Sequence, residues 1–377
     1  MTTRSMRRIS SGGPFVPDED VGLILHDVAQ ILRSGNLTQG EYLRRFEAEF
    51  AEAVGVEHAI GMNSGTAPLE IALRYAGVEG GEVIVPTNTF AASVNAALLA
   101  GARPVLADID PSTLGSGRTQ IEPLIGPNTR AVVAVHVAGL VDPAFDDLMQ
   151  LCRDRGLALV EDAAHAHGAS APSGRAGSLG MAGAFSFFAT KVITCGEGGM
   201  LTTNDAALAD FAVSWRSHGQ ATGDRSIVRV GHNYRLPEMS AAFGLRQLHR
   251  LDEFIETRRQ LAERYRRRLQ DDAGHLVLAS PGQRHPYYKL PLVLPPGWSR
   301  EKVARRLQSE FDVPTGTIYW PPCHRQPSFA SLCEGRVFPI ADAVLARTVA
   351  LPMHSNLSFD DVDWVCDAVL SVMEAGP

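Results

Sequence analysis

From residue 43 to about 217, hydrophobic and polar positions alternate between two rhythms. Tyr42–Val54 (YLRRFEAEFAEAV) sets Leu43, Phe46, Phe50 and Val54 at helical spacing, which predicts a helix with one apolar face. His58–Met62 reads as a short strand and Ala67–Ala76 as a helix again. Glu82–Pro86 (EVIVP) is a compact apolar strand, followed by a helix through Ala91–Ala100. Arg103–Asp108, Ala131–Val137 and Leu157–Glu161 are further strands, with a helix at Phe145–Arg155 between the last two. Strands and helices in this order predict βαβ units and a largely parallel sheet covered on both faces.

After Ser240 the pattern changes. Ala241–Gln270 is dense in Arg, Glu and Leu and free of proline, and it predicts one long helix. Tyr287–Leu294, Val303–Phe311, Pro314–Ile318 and Phe359–Met373 then read as strand, helix, strand, helix. The expected organisation is a large α/β domain over 1–245, then a connecting helix and a small C-terminal α+β domain over 246–377. The transition falls near 245–270.

The 377 residues, 45% of them hydrophobic and 20% charged, supply enough apolar material for such a core. A net charge of −7 provides no basic field for a nucleic-acid backbone. The longest apolar run, Ala131–Val141, carries His136 and is too short to span a bilayer, so it reads as a buried strand. Five cysteines without a C-x-x-C pair argue against a disulfide framework or a zinc ribbon, and no metal site is expected. The N-terminal MTTRSMRRIS is basic but lacks an apolar core, so no secretory signal is read and a cytoplasmic location is expected.

Of 35 basic residues only Lys191, Lys289 and Lys302 are lysine, leaving 32 arginines. Richness in Arg, Ala, Gly and Pro fits a GC-rich genome. A lysine kept alone in the first 288 residues is then a candidate for chemistry closed to guanidinium, namely losing a proton and forming a Schiff base. Lys191 follows the aromatic strand Ala184–Phe188 and precedes the glycine-rich turn Gly196–Gly199. Ser64-Gly65-Thr66 lies between a predicted strand and helix, which suits either an anion site or a plain N-cap. Asp162, in Val160–His165, stands at the carboxyl end of a strand, as a ligand group or a turn cap. It precedes Lys191 by 29 residues, each just after a strand of the same predicted sheet.

Taken together these segments resemble the DegT/DnrJ/EryC1/StrS family of sugar aminotransferases, fold-type I enzymes dependent on pyridoxal phosphate. The matching pieces run in order along the chain: GNLTQG (35–40), SGTA (64–67), EVIVPTNTF (82–90), VHxxG (135–139), EDAA (161–164), SFFxTK (186–191), GEGGM (196–200), RSHG (216–219) and GHNYR (231–235).

The resemblance implies that Lys191 carries the cofactor as a Schiff base and shuttles a proton, and that Asp162 faces the pyridine nitrogen. It further implies that Phe90 stacks on the ring and that Gly65, Thr66 and Ser186 hold the phosphate. Asn233 would reach that phosphate from the neighbouring subunit of a homodimer with shared active sites. His165 stands where the family often has Gln, in reach of the cofactor's phenolic oxygen; His167 reads as packed, and His232 as a packing replacement for an aromatic. Tyr319 and His324, in the segment Gly316–His324, are candidate substrate contacts, and Tyr287 and Tyr288 are further candidates. The implied reaction moves an amino group from L-glutamate or L-glutamine to a keto-sugar, nucleotide-linked, with a cyclitol or other cyclic ketone as the alternative acceptor. A sugar dehydratase on the same scaffold would replace the lysine with histidine, so Lys191 argues against it. A non-catalytic cofactor-binding role is unnecessary with Lys191 and Asp162 both intact.

Overall fold

A computed structural model of the chain describes residues 9–224, 226–269 and 273–377. Most of the basic N-terminal stretch, and Gln270 at the end of the predicted long helix, lie outside the described residues. Seven strands form the main sheet: β1 (His58–Met62), β2 (Glu82–Pro86), β3 (Arg103–Ala107), β4 (Thr129–Val135), β5 (Ala158–Asp162), β8 (Ala182–Ser186) and β9 (Gly199–Thr203). A two-stranded hairpin, β6 (Ser170–Ala171) and β7 (Gly174–Arg175), intervenes between β5 and β8. The order across the sheet is β1-β9-β8-β5-β4-β2-β3, and only β9 runs against its neighbours.

Alternate residues of the central strands enter opposite cores, the two-residue period of a pleated strand. Ala131, Val133 and Val160 pack on one face, with α3 (Thr66–Tyr75) and α4 (Ala91–Leu99). Val132, Ala134 and Leu159 pack on the other, with Leu43, Phe46 and Phe50 of α2 (Glu41–Val54). The same alternation sends Glu161 and Asp162 of β5 to opposite faces.

A second, antiparallel sheet joins β10 (His275–Leu276), β11 (Leu290–Val293) and β12 (Thr348–Leu351). Helix Leu251–Leu269 gives Phe254 and Ile255 to the core of the large sheet, and Leu261, Tyr265 and Leu269 to that of the small one.

Four expectations need correction. The helix predicted from Ala241 to Gln270 is two helices, Glu238–His249 and Leu251–Leu269. They meet at Arg250 (φ −98°, ψ −2°), whose guanidinium reaches back to Asp20 and Glu19 of α1 (Asp18–Ser34). Pro314–Ile318 is no strand; it makes one isolated bridge, Gly316 to Ala350, and β12 takes the place beside β11. The strand read from Tyr287 begins only at Leu290, because Tyr287 sits at φ 46°. The run Ala131–Val141 leaves the sheet after Val135, since Ala138 turns left-handed (φ 58°) in a short 3-10 turn.

Helix α1 escaped the sequence reading because its pattern is inverted. Its buried positions include Asp20 and Asp27, paired with Arg250 and Arg246, while Leu25 and Leu32 are exposed.

One distant carboxylate fixes the entry to α2. Gly40 at its N-cap has no side chain to offer, and Glu238 supplies the acceptor instead. Its Oε1 accepts from the N–H of Gly40 (2.8 Å) and Leu43 (3.1 Å), and its Oε2 from that of Tyr42 (3.0 Å). Because these donors would otherwise be orphaned at the positive end of the helix, Glu238→Ala is expected to cost about 2 kcal/mol in urea unfolding.

Candidate active site

The predicted site residues come from four places at the carboxyl ends of the parallel strands. Asp162 ends β5, Ser186 ends β8 with Lys191 five residues on, Phe90 precedes α4 after β2, and Gly65-Thr66 opens α3 after β1. Ligands collect at such strand ends because the loops there diverge and leave a crevice.

Lys191 remains reachable from solvent, yet protein surrounds its ammonium. Desolvation lowers its pKa to about 8; Asp162 pulls it upward and Lys289 pushes it further down. The ammonium lies 4.8 Å from the centre of the Tyr288 ring. Asp162 is buried, and its Oδ2 accepts a 2.6 Å hydrogen bond from Ser93 Oγ, which in turn lies 2.6 Å from Thr89 Oγ1. The N–H of Ala164 donates to Oδ1 (3.2 Å). These donors hold the carboxylate in one orientation.

His165 is buried between two tyrosines, its ring centre 4.2 Å from that of Tyr288 and 5.3 Å from that of Tyr319, the latter stacked. Its Nε2 and the Tyr319 hydroxyl are 2.8 Å apart. Burial, then the charges of Lys191 and Lys289, push its pKa well down, so this imidazole is neutral at physiological pH. His167 is packed against Phe185 and Phe187, and burial lowers it to about 3.

Gly65 meets Ser186 so closely that a Cβ added there would stand 2.6 Å from the serine Cβ. Glycine therefore lets the head of α3 press against the end of β8. That helix has no side-chain cap, so its first-turn N–H groups are open to an anion beside Ser186 Oγ.

Phe90 is exposed, and its ring centre is 6.5 Å from that of Tyr319. Tyr319, at φ 46°, is a bulky residue in a left-handed conformation, a local strain the surrounding packing must sustain.

Two predicted residues stand apart from this cluster. His324 spends both ring nitrogens on the protein: Nδ1 lies 2.7 Å from Thr87 Oγ1 and Nε2 lies 2.8 Å from Asp342 Oδ1. With its ring stacked on Phe338, it is a strut between the end of β2 and helix Pro339–Leu345, and no ring nitrogen is left for the expected substrate contact. Asn233 is exposed on the excursion 217–237, where its carbonyl accepts from Asn63 Nδ2 (3.4 Å); it makes no hydrogen bond to the Lys191 cluster of its own chain. Ser93, Thr190 (3.0 Å from the Tyr288 hydroxyl) and Lys289 were not anticipated. Lys289, one of three lysines, and Thr190, inside the SFFxTK motif, carried a signal in the sequence; Ser93 carried none.

Among the described residues no helix is long and apolar enough to cross a membrane, and no cluster of His, Cys, Asp or Glu is placed to hold a metal ion.

Similarity to known proteins agrees with this geometry. The model of the DegT/DnrJ/EryC1/StrS aminotransferase family matches residues 19–370. The chain is 36% identical over 343 residues to the GDP-perosamine synthase of Caulobacter vibrioides, covering 89% of this chain and 91% of that one. To the spore coat polysaccharide biosynthesis protein SpsC of Bacillus subtilis it is 34% identical, with 96% of each covered. The crystal structure of the aminotransferase TlmJ from Streptoalloteichus hindustanus superposes with a TM-score of 0.89 at 32% identity, over 97% of this chain and 99% of that one. Site geometry, fold and sequence similarity together make this chain a member of the DegT/DnrJ/EryC1/StrS aminotransferase family.

Proposed function

We propose that the chain is a pyridoxal-phosphate-dependent aminotransferase that takes its amino group from L-glutamate or L-glutamine and installs it on a nucleotide-linked keto-sugar. The observation that carries this reading is Lys191, a desolvated lysine with a pKa near 8 that feels the charge of Asp162. The residues fit the cofactor: an open anion cradle at Gly65, Thr66 and Ser186, a fixed buried carboxylate, and an exposed aromatic, Phe90, at the mouth. When bound, pyridoxal phosphate supplies the carbonyl carbon that carries nitrogen and a protonated ring that withdraws electrons.

Lys191 would be its attachment point. At a pKa near 8 an appreciable fraction of the amine is free near neutral pH, so it can both attack a carbonyl and carry a proton to and from carbon. Asp162, immobilised by Ser93 and the Ala164 N–H, would keep the proton on the pyridine nitrogen. The N–H groups of Gly65 and Thr66 and the Ser186 hydroxyl would bind the phosphate, and Phe90 would cover the ring. His165, held neutral and oriented by Tyr319, offers a hydrogen bond without adding to the positive charge of Lys191 and Lys289.

The acceptor class rests on relatives whose names specify nucleotide-linked aminosugars, such as GDP-perosamine synthase. We also place Asn233 in the partner's site of a homodimer. The exposed Leu23, Leu25 and Leu32 of α1, together with Phe90 and Phe188 near the site, support a covering subunit.

The test is a visible absorption spectrum of the protein loaded with pyridoxal phosphate, before and after adding L-glutamate or L-glutamine. A band that one of these donors bleaches, and that a keto-sugar nucleotide restores, is the expected result. A band that neither amino acid changes would reject the donor assignment.

A further inference from the structure

Two of the three lysines converge on one ring. The ammonium of Lys191 lies 4.8 Å from the centre of Tyr288, and that of Lys289 lies 5.9 Å from it. Lys289 directly follows Tyr288 at the approach to β11 and donates one hydrogen bond, to the carbonyl of Thr317 (2.5 Å), two residues before Tyr319. An ammonium has three N–H donors. The other two find no acceptor, and no carboxylate pairs with this group, among the described residues.

A half-buried cation without a counter-ion is costly to keep, and burial lowers its pKa. A bond to one carbonyl does not require charge, since an amide side chain could supply it. In a chain that uses arginine 32 times, a compact ammonium beside the reactive lysine calls for a different explanation. Lys289 also adds positive charge that depresses both Lys191 and His165, against the opposing pull of Asp162 on Lys191.

On the aminotransferase reading given above, we propose that Lys289 is a substrate-binding residue whose ammonium receives an anionic oxygen, carboxylate or phosphate, of the molecule presented to Lys191. Two sources carry that chemistry: the carboxylates of the amino donor, and the diphosphate of a nucleotide-linked acceptor. The Thr317 bond orients the ammonium, and the arriving oxygen takes the donors left over.

Calorimetric titration of the cofactor-loaded protein with two unreactive probes, glutarate and GDP, tests this. The wild type is compared with Lys289→Met, Lys289→Gln and Lys289→Arg. Glutamine keeps an N–H donor to offer the Thr317 carbonyl but carries no charge, so it separates a strut from an anion site.

Both uncharged variants are expected to bind one of the probes about tenfold more weakly or worse, with unchanged melting temperature, while arginine retains most of the affinity. Loss for glutarate identifies the donor carboxylate; loss for GDP identifies the acceptor diphosphate. Wild-type affinity for both probes in Lys289→Gln would overturn the proposal, as would a wild type that binds neither. A loss in Lys289→Met that glutamine restores would make Lys289 a strut and would also overturn it. A normal visible band in the wild type beside any of these failures leaves the cofactor reading standing. Absence of that band in the wild type would sink the cofactor reading itself.

Discussion

Lys191→Ala is expected to lower turnover with any amino donor by about 10⁴-fold or more, because in the proposed reaction one side chain would provide both attachment and proton transfer. Cofactor would still enter the proposed cradle at Gly65, Thr66 and Ser186, but the variant's visible band is expected no longer to be that of a lysine-linked species. Stability is expected to move the other way. In the cofactor-free wild type, burial depresses the lysine to about 8, below its unfolded value, so the charged form is penalised in the folded state.

That penalty is fully present below pH 8. Between pH 8 and the ordinary lysine value of about 10.4, the unfolded chain holds a proton that the folded one has released, so wild-type stability rises with pH. The rise is at most about 3 kcal/mol. The alanine variant lacks this slope and is expected to be at least as stable as wild type at pH 7. Urea unfolding of both cofactor-free proteins at pH 7 and pH 10 checks this. An alanine variant that unfolds more readily than wild type at pH 7 would show that Lys191 holds the fold rather than burdening it.

Glu161→Ala is expected to cost about 4 kcal/mol or more, the largest stability loss of any single change considered. Glu161 is fully buried on the face of β5 opposite Asp162. Its Oε1 accepts from the N–H groups of Leu179 (2.7 Å) and Gly180 (2.8 Å); its Oε2 accepts from Gly177 N–H (2.8 Å) and pairs with His136 Nε2 (2.9 Å). Alanine would leave three main-chain donors and an imidazole without partners in the interior, and the turn leading into β8 would lose its anchor. Glu161→Gln keeps one acceptor oxygen but aims an NH₂ group at donors, so about half the loss is expected. Because β8 carries Ser186 and leads to Lys191, either variant should also bind cofactor more weakly. Urea unfolding and cofactor titration, side by side, measure both effects.

Glu161 shows where reading the sequence stops. The motif EDAA pointed to Asp162, whose position at a strand end is visible in the local pattern. The service Glu161 performs depends on a loop 16 to 19 residues further on, which no local pattern reveals. The parallel strands were legible because each is a short apolar run between turn signals. Helix α1 was not, since its inward face carries aspartates whose arginine partners, Arg246 and Arg250, lie more than 200 residues away. The break at Arg250 is hidden for a similar reason: nothing in the helical pattern of 241–269 marks it. Lys191, Asp162, Gly65 and Ser186 could be singled out through motifs, whereas the close approach of Gly65 to Ser186, like the meaning of Ser93 and Lys289, depends on neighbours distant in the chain. His324 shows the reverse, a residue that looked available and is fully engaged.

The pocket is closed by residues far apart in the order of synthesis. Tyr319 reaches His165 across 154 residues, and Tyr288 meets Thr190 across 98. All seven strands of the large sheet have left the ribosome before Tyr288 is made. A nascent chain can therefore assemble its sheet and expose Lys191 while that lysine still lies in water, with an ordinary amine pKa and no aromatic wall beside it. The segments 287–289 and 317–319 arrive later, setting the Tyr288 ring against the amine and Tyr319 against His165. The late C-terminal third thus sets the moment at which the wall around the lysine is complete.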